Sequence, residues 1–271
     1  MNIYTVSFLL ILILNLIKNR RSLTMLQKNL YNENNRYLKW VFKNWKTIFV
    51  SLDFISFIFL LLAYILDNDL SIYLVIISFI LYLLEITRIL NNDKLYMDEK
   101  KLVITKRVKR LLFTLAVLFL LPIIFYLVDD KNIYLTLVIE GFITYFSYLM
   151  VVVAEIINIP VERIMYNYYA IKAKNKLKDM KNLKVIGITG SYGKTTCKNI
   201  LSDILNVKYI ARPTPRNLNT KYGLVLTINN YLDRFDDIFI AEMGASRMGD
   251  IKSLCDMVQP KYGVLTRIGL N

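Results

Sequence analysis

This chain contains no histidine, only two cysteines, and far fewer acids than bases: 21 Asp and Glu against 35 Lys and Arg in 271 residues. Without histidine there can be no His-ligated metal site and no imidazole general base within these residues. Cys197 and Cys255 are too few for a disulfide framework and are read as reduced thiols. What is present in excess is apolar: 55% of residues are hydrophobic and the net charge is +14, with a mean hydropathy of +0.41. That pairing is unusual for a soluble protein. It is expected when apolar residues collect in membrane spans and basic residues in cytoplasmic loops. Nucleic-acid binding accounts less well for the charge, because the bases flank apolar runs instead of forming a stripe on a folded domain. There is no internal repeat and no low-complexity tract.

Five apolar runs, at residues 3–17, 47–66, 71–86, 111–128 and 133–157, approach the roughly 17–25 residues that cross a bilayer core as a helix. The first lacks a basic start and a cleavage site, and so reads as an uncleaved anchor, not a signal peptide. Lys18 to Lys46 holds eight bases and one acid, Glu33, and Arg88 to Arg110 holds eight bases and three acids. Between them fall the acidic turns Asp67-Asn68-Asp69 and Asp129-Asp130. Basic loops stay inside, which predicts an external N-terminus and a cytoplasmic chain after Ile157. Asp53 and Glu140 lie within runs and are functional candidates on that ground. The simpler expectation is that each lies near an interface, hydrated or paired with a neighbour. Residues 160–182 are basic with interleaved Ile164, Met165, Tyr168, Tyr169 and Ile171, and read as a juxtamembrane linker helix against anionic headgroups. A solvated linker helix fits the same pattern.

The most informative segment follows. Val185 to Thr189 reads as a strand that runs into a glycine-rich turn ending Gly193-Lys194-Thr195-Thr196, and a helix follows over Cys197–Leu205. This is the layout of a phosphate-binding loop, in which backbone N–H groups and a helix N-terminus surround a polyphosphate. Lys194 would reach the terminal phosphates, and the Thr195 hydroxyl would complete the shell of a Mg²⁺ ion. The general pattern has an earlier glycine where Ile188 stands here, so the spacing is the narrower Thr-Gly-x-x-Gly-Lys-Thr-Thr. Beyond it, strands near Tyr209–Ala211, Ile238–Ala241 and Tyr262–Thr266 alternate with helices at Tyr222–Tyr231 and Asp250–Val258. That alternation predicts a parallel sheet wrapped by helices, an α/β fold after an α-helical membrane region. Gly190–Thr195, Asn217–Thr220 and Glu242 all fall at strand ends, where such sheets bind ligands.

These motifs resemble those of the Mur ligase family, ATP-dependent enzymes that extend the peptide stem of bacterial cell-wall precursors. Gly187 to Thr196 is similar to the family's phosphate loop. Thr214 with Asn217, Asn219 and Gly223 is similar to its threonine-and-asparagine loop. Ala241-Glu242-Met243-Gly244-Ala245 with Gly249-Asp250-Ile251 resembles the strand-end glutamate motif, in the form typical of the member that adds D-Ala-D-Ala. Pro260 to Thr266 with Ile268-Gly269 resembles the strand that follows. The resemblance covers residues 183–271, the N-terminal part of a central ATP-binding domain. It implies that Thr189, Gly190, Ser191, Tyr192, Gly193, Lys194, Thr195, Thr196, Asn217 and Asn219 contact ATP. It further implies that Thr195 and Glu242 hold Mg²⁺, and that Lys194 and Glu242 carry the catalytic charge. In the family a substrate carboxylate attacks the γ-phosphate, and an amine displaces phosphate from the resulting acyl phosphate. The implied partners are ATP, a muramyl-peptide precursor, soluble or lipid-linked, and the membrane. Where relatives keep a UDP-sugar-binding domain, this chain has its apolar runs. The family's histidine ligand and amino-acid-binding domain are expected beyond Asn271, which makes the chain the front of a longer ligase or a truncated copy. The alternative class is a membrane-attached nucleotide-binding module without ligase activity; a transporter ATPase lacks a pathway and a signature motif.

Overall fold

The computed structural model describes residues 3–31, 35–96, 102–129 and 133–269. Glu33, Asp130 and the closing Leu270-Asn271 lie outside the described residues. The chain forms two compact units, Met1–Pro160 and Val161–Asn271.

The first unit is helical: α1 (Ile3–Lys28), α2 (Arg36–Lys43), α3 (Trp45–Phe49), α4 (Leu52–Leu66), α5 (Leu70–Tyr96), α6 (Lys106–Asp129), α7 (Ile133–Tyr145) and the start of α8 (Ser147–Asp179). Two described helices, Ile3–Lys28 and Leu70–Asn91, are long and apolar enough to cross a membrane, or three if the bent α7–α8 pair is one span. That is fewer than the five spans expected. Two expected runs are interrupted. Residues 47–66 break at Val50 and the extended Ser51, leaving α4 with 15 residues, and 133–157 bends by 85° between α7 and α8. Aromatic packing accounts for both breaks at once. The Tyr145 hydroxyl donates to the Phe49 carbonyl, 3.0 Å, satisfying an acceptor that the end of α3 leaves open. Phe49, Phe54, Phe142, Tyr145 and Phe146 stack around that contact.

The interior of this unit is polar in places. Lys18 pairs with the fully buried Asp53, so Asp53 has the expected neighbour. Glu140 is fully buried and, among the described residues, neither of its carboxylate oxygens has a hydrogen-bond partner, so it lacks the paired neighbour that Asp53 has. Asn15 donates to Thr144 at 3.2 Å. Meanwhile Ile65, Leu84, Phe113 and Leu127 point outward and are exposed.

The second unit carries the parallel sheet. Its strands are β1 (Lys184–Thr189), β2 (Ala211–Pro213), β3 (Ile238–Glu242) and β4 (Tyr262–Leu265), in the order β2-β3-β1-β4. All pairings are parallel, with Ile188 opposite Glu242 and Val264. Helices α9 (Lys194–Leu205), α10 (Lys221–Asn230) and α11 (Asp250–Val258) connect them. β3 is buried along its whole length, as a strand covered on both faces must be. One face packs Ile188, Ala211, Ile238 and Ile240 against Cys197, Leu201 and Leu205 of α9. The other packs Phe239, Ala241 and Met243 with residues of α10 and α11.

The end of α8 joins this second core. Ala173 is fully buried in it, with Tyr166, Ala170, Leu177 and Met180 packed alongside. Lys176 donates to the Leu232 carbonyl and Asn229 to the Tyr169 carbonyl. The expected linker 160–182 is therefore largely a docked helix of the α/β unit. Its small and aromatic residues at helical spacing form the buried face, while Ile164, Tyr168 and Ile171 lie exposed on the other side.

Candidate nucleotide and metal site

The turn after β1 depends on two glycines. Gly190 has φ +143° and Gly193 φ +80°, conformations that side-chain-bearing residues rarely adopt. A Cβ at Gly190 would also stand 2.0 Å from Thr266 Oγ1. The approach is this close because the chain leaving β4 is tied to the loop. Thr266 donates from both its N–H and its hydroxyl to the Thr189 carbonyl, 2.8 and 3.1 Å. Ser191 and Tyr192 donate their amides to the Arg267 carbonyl, 2.9 and 3.2 Å. Those two amides are engaged within the protein. The donors presented to an anion are then at the start of α9, where Cys197 N–H makes the first intrahelical bond, to Gly193 O. Amides preceding it have no acceptor within the helix. Lys194 and the exposed Thr196 stand at the same end. The Lys194 ammonium bonds back to the Gly190 and Ser191 carbonyls; a phosphate would replace these neutral acceptors with charged ones.

Glu242 ends β3 opposite this turn and is only 2% exposed. Its N–H donates to the buried Thr214 hydroxyl, 3.1 Å. Thr195 Oγ1 lies 3.2 Å from each of its carboxylate oxygens, and Asn219 Nδ2 lies 3.2 Å from Oε1. Asn219 is itself held by Gly244, whose N–H donates to the Asn219 carbonyl at 2.8 Å and whose missing side chain leaves room for the amide. The structure thus brings together Lys194, Thr195, Asn219 and Glu242, from three separate stretches. Asn217 stands exposed on the same loop, its carbonyl accepting from Asn219 N–H.

A Mg²⁺ ion suits this donor set. It takes one or two protein oxygens, with water and phosphate completing the shell, and a hydroxyl in contact with a buried carboxylate provides them. No group of three or more His, Cys, Asp or Glu placed to hold a metal ion occurs among the described residues, so an all-protein metal cage is not what the site offers.

Sequence reasoning passed over Lys198. It lies one turn beyond Lys194 and is 2% exposed, with Nζ 3.0 Å from Glu242 Oε2. The signal was its position on the face of α9 shared with Cys197, Leu201 and Leu205, which packs on the sheet. Arg267 was also missed, because it holds the loop through its backbone carbonyl, which residue type does not reveal.

A parallel sheet, a glycine turn entering a helix at Gly-Lys-Thr, and a carboxylate at the neighbouring strand end have the layout of a P-loop domain. Residues 188–271 match the Mur ligase middle domain, and over that stretch the chain is MurF-like. It is 38% identical over 86 residues to the UDP-N-acetylmuramoyl-tripeptide--D-alanyl-D-alanine ligase of Bacillus subtilis, covering 32% of this chain and 19% of that protein. With the same ligase from Treponema pallidum it shares 34% over 84 residues, 31% of this chain and 18% of that protein. Among solved structures it is similar to the MurF ligase from Thermotoga maritima in complex with ADP. There the identity is 42% and the TM-score 0.36, over 38% of this chain and 24% of that one. The chain therefore spans less than a fifth of the length of these curated relatives.

Proposed function

We propose that this chain is the membrane-anchored nucleotide-binding portion of an ATP-dependent amide ligase acting on peptidoglycan precursors. The observation that carries the reading is the convergence of Thr195, Asn219 and Glu242 beside the phosphate loop. Phosphoryl transfer needs positioning and charge neutralisation more than covalent chemistry from the protein, and these residues supply both. Lys194 and the first amides of α9 bind and orient the polyphosphate. Thr195 and Glu242 hold Mg²⁺, which when bound neutralises charge on the phosphate oxygens. Asn219 fixes the Glu242 carboxylate. The acceptor, a muramyl peptide, and the incoming amine are taken from the chemistry named for the relatives.

Membrane attachment is supported by the inside-out character of the first unit, which buries Lys18, Asp53, Asn15 and Glu140 and turns apolar side chains outward. Polar groups in a bilayer face the bundle interior. In this reading the unit is multi-pass in a bacterial cell membrane, with the N-terminus outside and the ligase domain in the cytoplasm. Held there, the enzyme meets a lipid-linked precursor at high local concentration, which substitutes for affinity from a sugar pocket.

The reading is tested first by binding of a fluorescent ADP to the full chain in nanodiscs with Mg²⁺. Lys194→Ala should weaken it at least about tenfold, the scale of one charged hydrogen bond, while leaving the fold intact. Equal affinity in the variant would refute the nucleotide site. The substrate is tested on the complete ligase with matched soluble and lipid-linked muramyl peptides. Equal or better turnover of the soluble one without residues 1–160 would remove the lipid-linked reading, and nucleotide binding without amide formation would favour a non-catalytic module.

A further inference from the structure

A lysine on the fourth residue after a phosphate-loop lysine would ordinarily extend into water. Lys198 does not. Its side chain is 2% exposed and runs beneath the loop, where Nζ meets Glu242 Oε2 at 3.0 Å and the Arg216 carbonyl at 3.0 Å. Arg216 has a positive φ of 47°, which directs the 214–220 stretch that goes on to Asn219. One ammonium group thus joins the first helix of the nucleotide site, the end of the central strand, and the loop that supplies the carboxylate's amide partner.

Stability alone is a poor explanation for such an arrangement. Removing both ions of a buried pair from water costs several kcal/mol each, and apolar replacements are often as stable. What the pair does provide is a defined carboxylate. Lys198 engages Oε2, Asn219 engages Oε1, and the Thr195 hydroxyl lies within 3.2 Å of both. An ammonium has three donors and no acceptor, so it can hold Glu242 without competing with Thr195 as an oxygen donor.

We infer that Lys198 is a positioning residue for the metal, fixing the Glu242 carboxylate beside Thr195 before Mg-nucleotide arrives. It touches neither nucleotide nor metal. The inference rests on the nucleotide-site reading above, and its test separates the two. Fluorescent ADP is titrated into the full chain in nanodiscs with Mg²⁺ and again with EDTA, and the ratio of the two affinities gives the metal's contribution. In Lys198→Met this ratio should shrink about tenfold, as expected for losing a charged hydrogen bond, while EDTA affinity stays within about twofold. A general structural defect would lower both affinities together.

Lys198→Met leaves a buried carboxylate unpaired and can unfold the unit. Lys198→Met combined with Glu242→Gln avoids that charge. If Lys198 acts through Glu242, the double variant should show the same metal ratio as Glu242→Gln alone. A folded Lys198→Met with the wild-type ratio overturns the inference, as does a further loss in the double variant. Absence of any metal dependence in the wild-type chain overturns both this inference and the metal reading beneath it.

Discussion

Thr195 and Glu242 stand 47 positions apart, yet the threonine hydroxyl lies 3.2 Å from both oxygens of the carboxylate. A shared Mg²⁺ requires the two side chains to lie within about 7 Å, and they are in direct contact. Thr195→Val keeps the shape of the side chain but removes the hydroxyl. We expect Mg-dependent ADP affinity to fall about tenfold, the worth of a hydrogen bond to a charged group, with EDTA affinity unchanged. The measurement is the same pair of titrations, and an unaltered metal dependence would exclude Thr195 as a ligand.

Gly190, just after the inner strand β1, and Gly263, within the edge strand β4, provide a contrast. At Gly190 a Cβ would meet Thr266 Oγ1 at 2.0 Å and the backbone has φ +143°, whereas at Gly263 nothing lies within 4 Å. Gly190→Ala should therefore displace the Thr266–Arg267 segment, lower stability by roughly 1–3 kcal/mol and abolish nucleotide binding. Gly263→Ala should be neutral within about 0.5 kcal/mol. Thermal melts of the two variants, with and without ADP, distinguish them; equal behaviour would refute the steric account of the loop.

Much of the second unit was legible because its strands are short, apolar and punctuated by turn residues. The helix expected at Asp250–Val258 forms over those residues, and Glu242 extends the expected strand by one. Other features were hidden for identifiable reasons. The breaks at Ser51 and Phe146 carry no glycine or proline; they are set by Tyr145 reaching Phe49, 96 residues away. Lys198 falls on the packed face of α9, but a lysine there contradicts its own pattern, and only the distant Glu242 makes its burial tolerable. In α8 the prominent aromatic and β-branched residues drew attention to the exposed side, whereas the docking face is centred on Ala170 and Ala173.

Asp250 makes the turn after Glu242 sensitive to acid. Its carboxylate accepts the Ser246 and Arg247 amides, both at 2.8 Å, and these bonds hold its carboxyl below the usual carboxylate range. Because the folded value is lowered, the stabilisation is complete above the unfolded value, about 4, and is lost as pH falls through the folded one. Hydrogen exchange at Ser246 and Arg247 should accelerate below about pH 4 beyond the intrinsic rate. Asp250→Asn, which retains an acceptor but cannot titrate there, should abolish that extra acceleration. If it persists in the variant, another group controls the turn.

Reporter fusions after Asp69 and after Lys181 should lie on opposite sides of the membrane, Asp69 outside and Lys181 inside. Two eight-base stretches, Lys18–Lys46 and Arg88–Arg110, flank the acidic turn at Asp67–Asp69, and short basic loops are retained in the cytoplasm. The demanding element is α4. Its 15 residues span about 22 Å at 1.5 Å per residue, short of a hydrocarbon core of about 30 Å. Crossing therefore requires α3 and the Val50-Ser51 break to lie within the bilayer, their open backbone groups met by protein partners. The Phe49 carbonyl has such a partner in Tyr145, and Leu52 N–H has one in Glu85 at 3.2 Å. If instead α4 and α5 enter and leave from the cytoplasmic face, Asp69 will report the same side as Lys181, and the alternating topology falls.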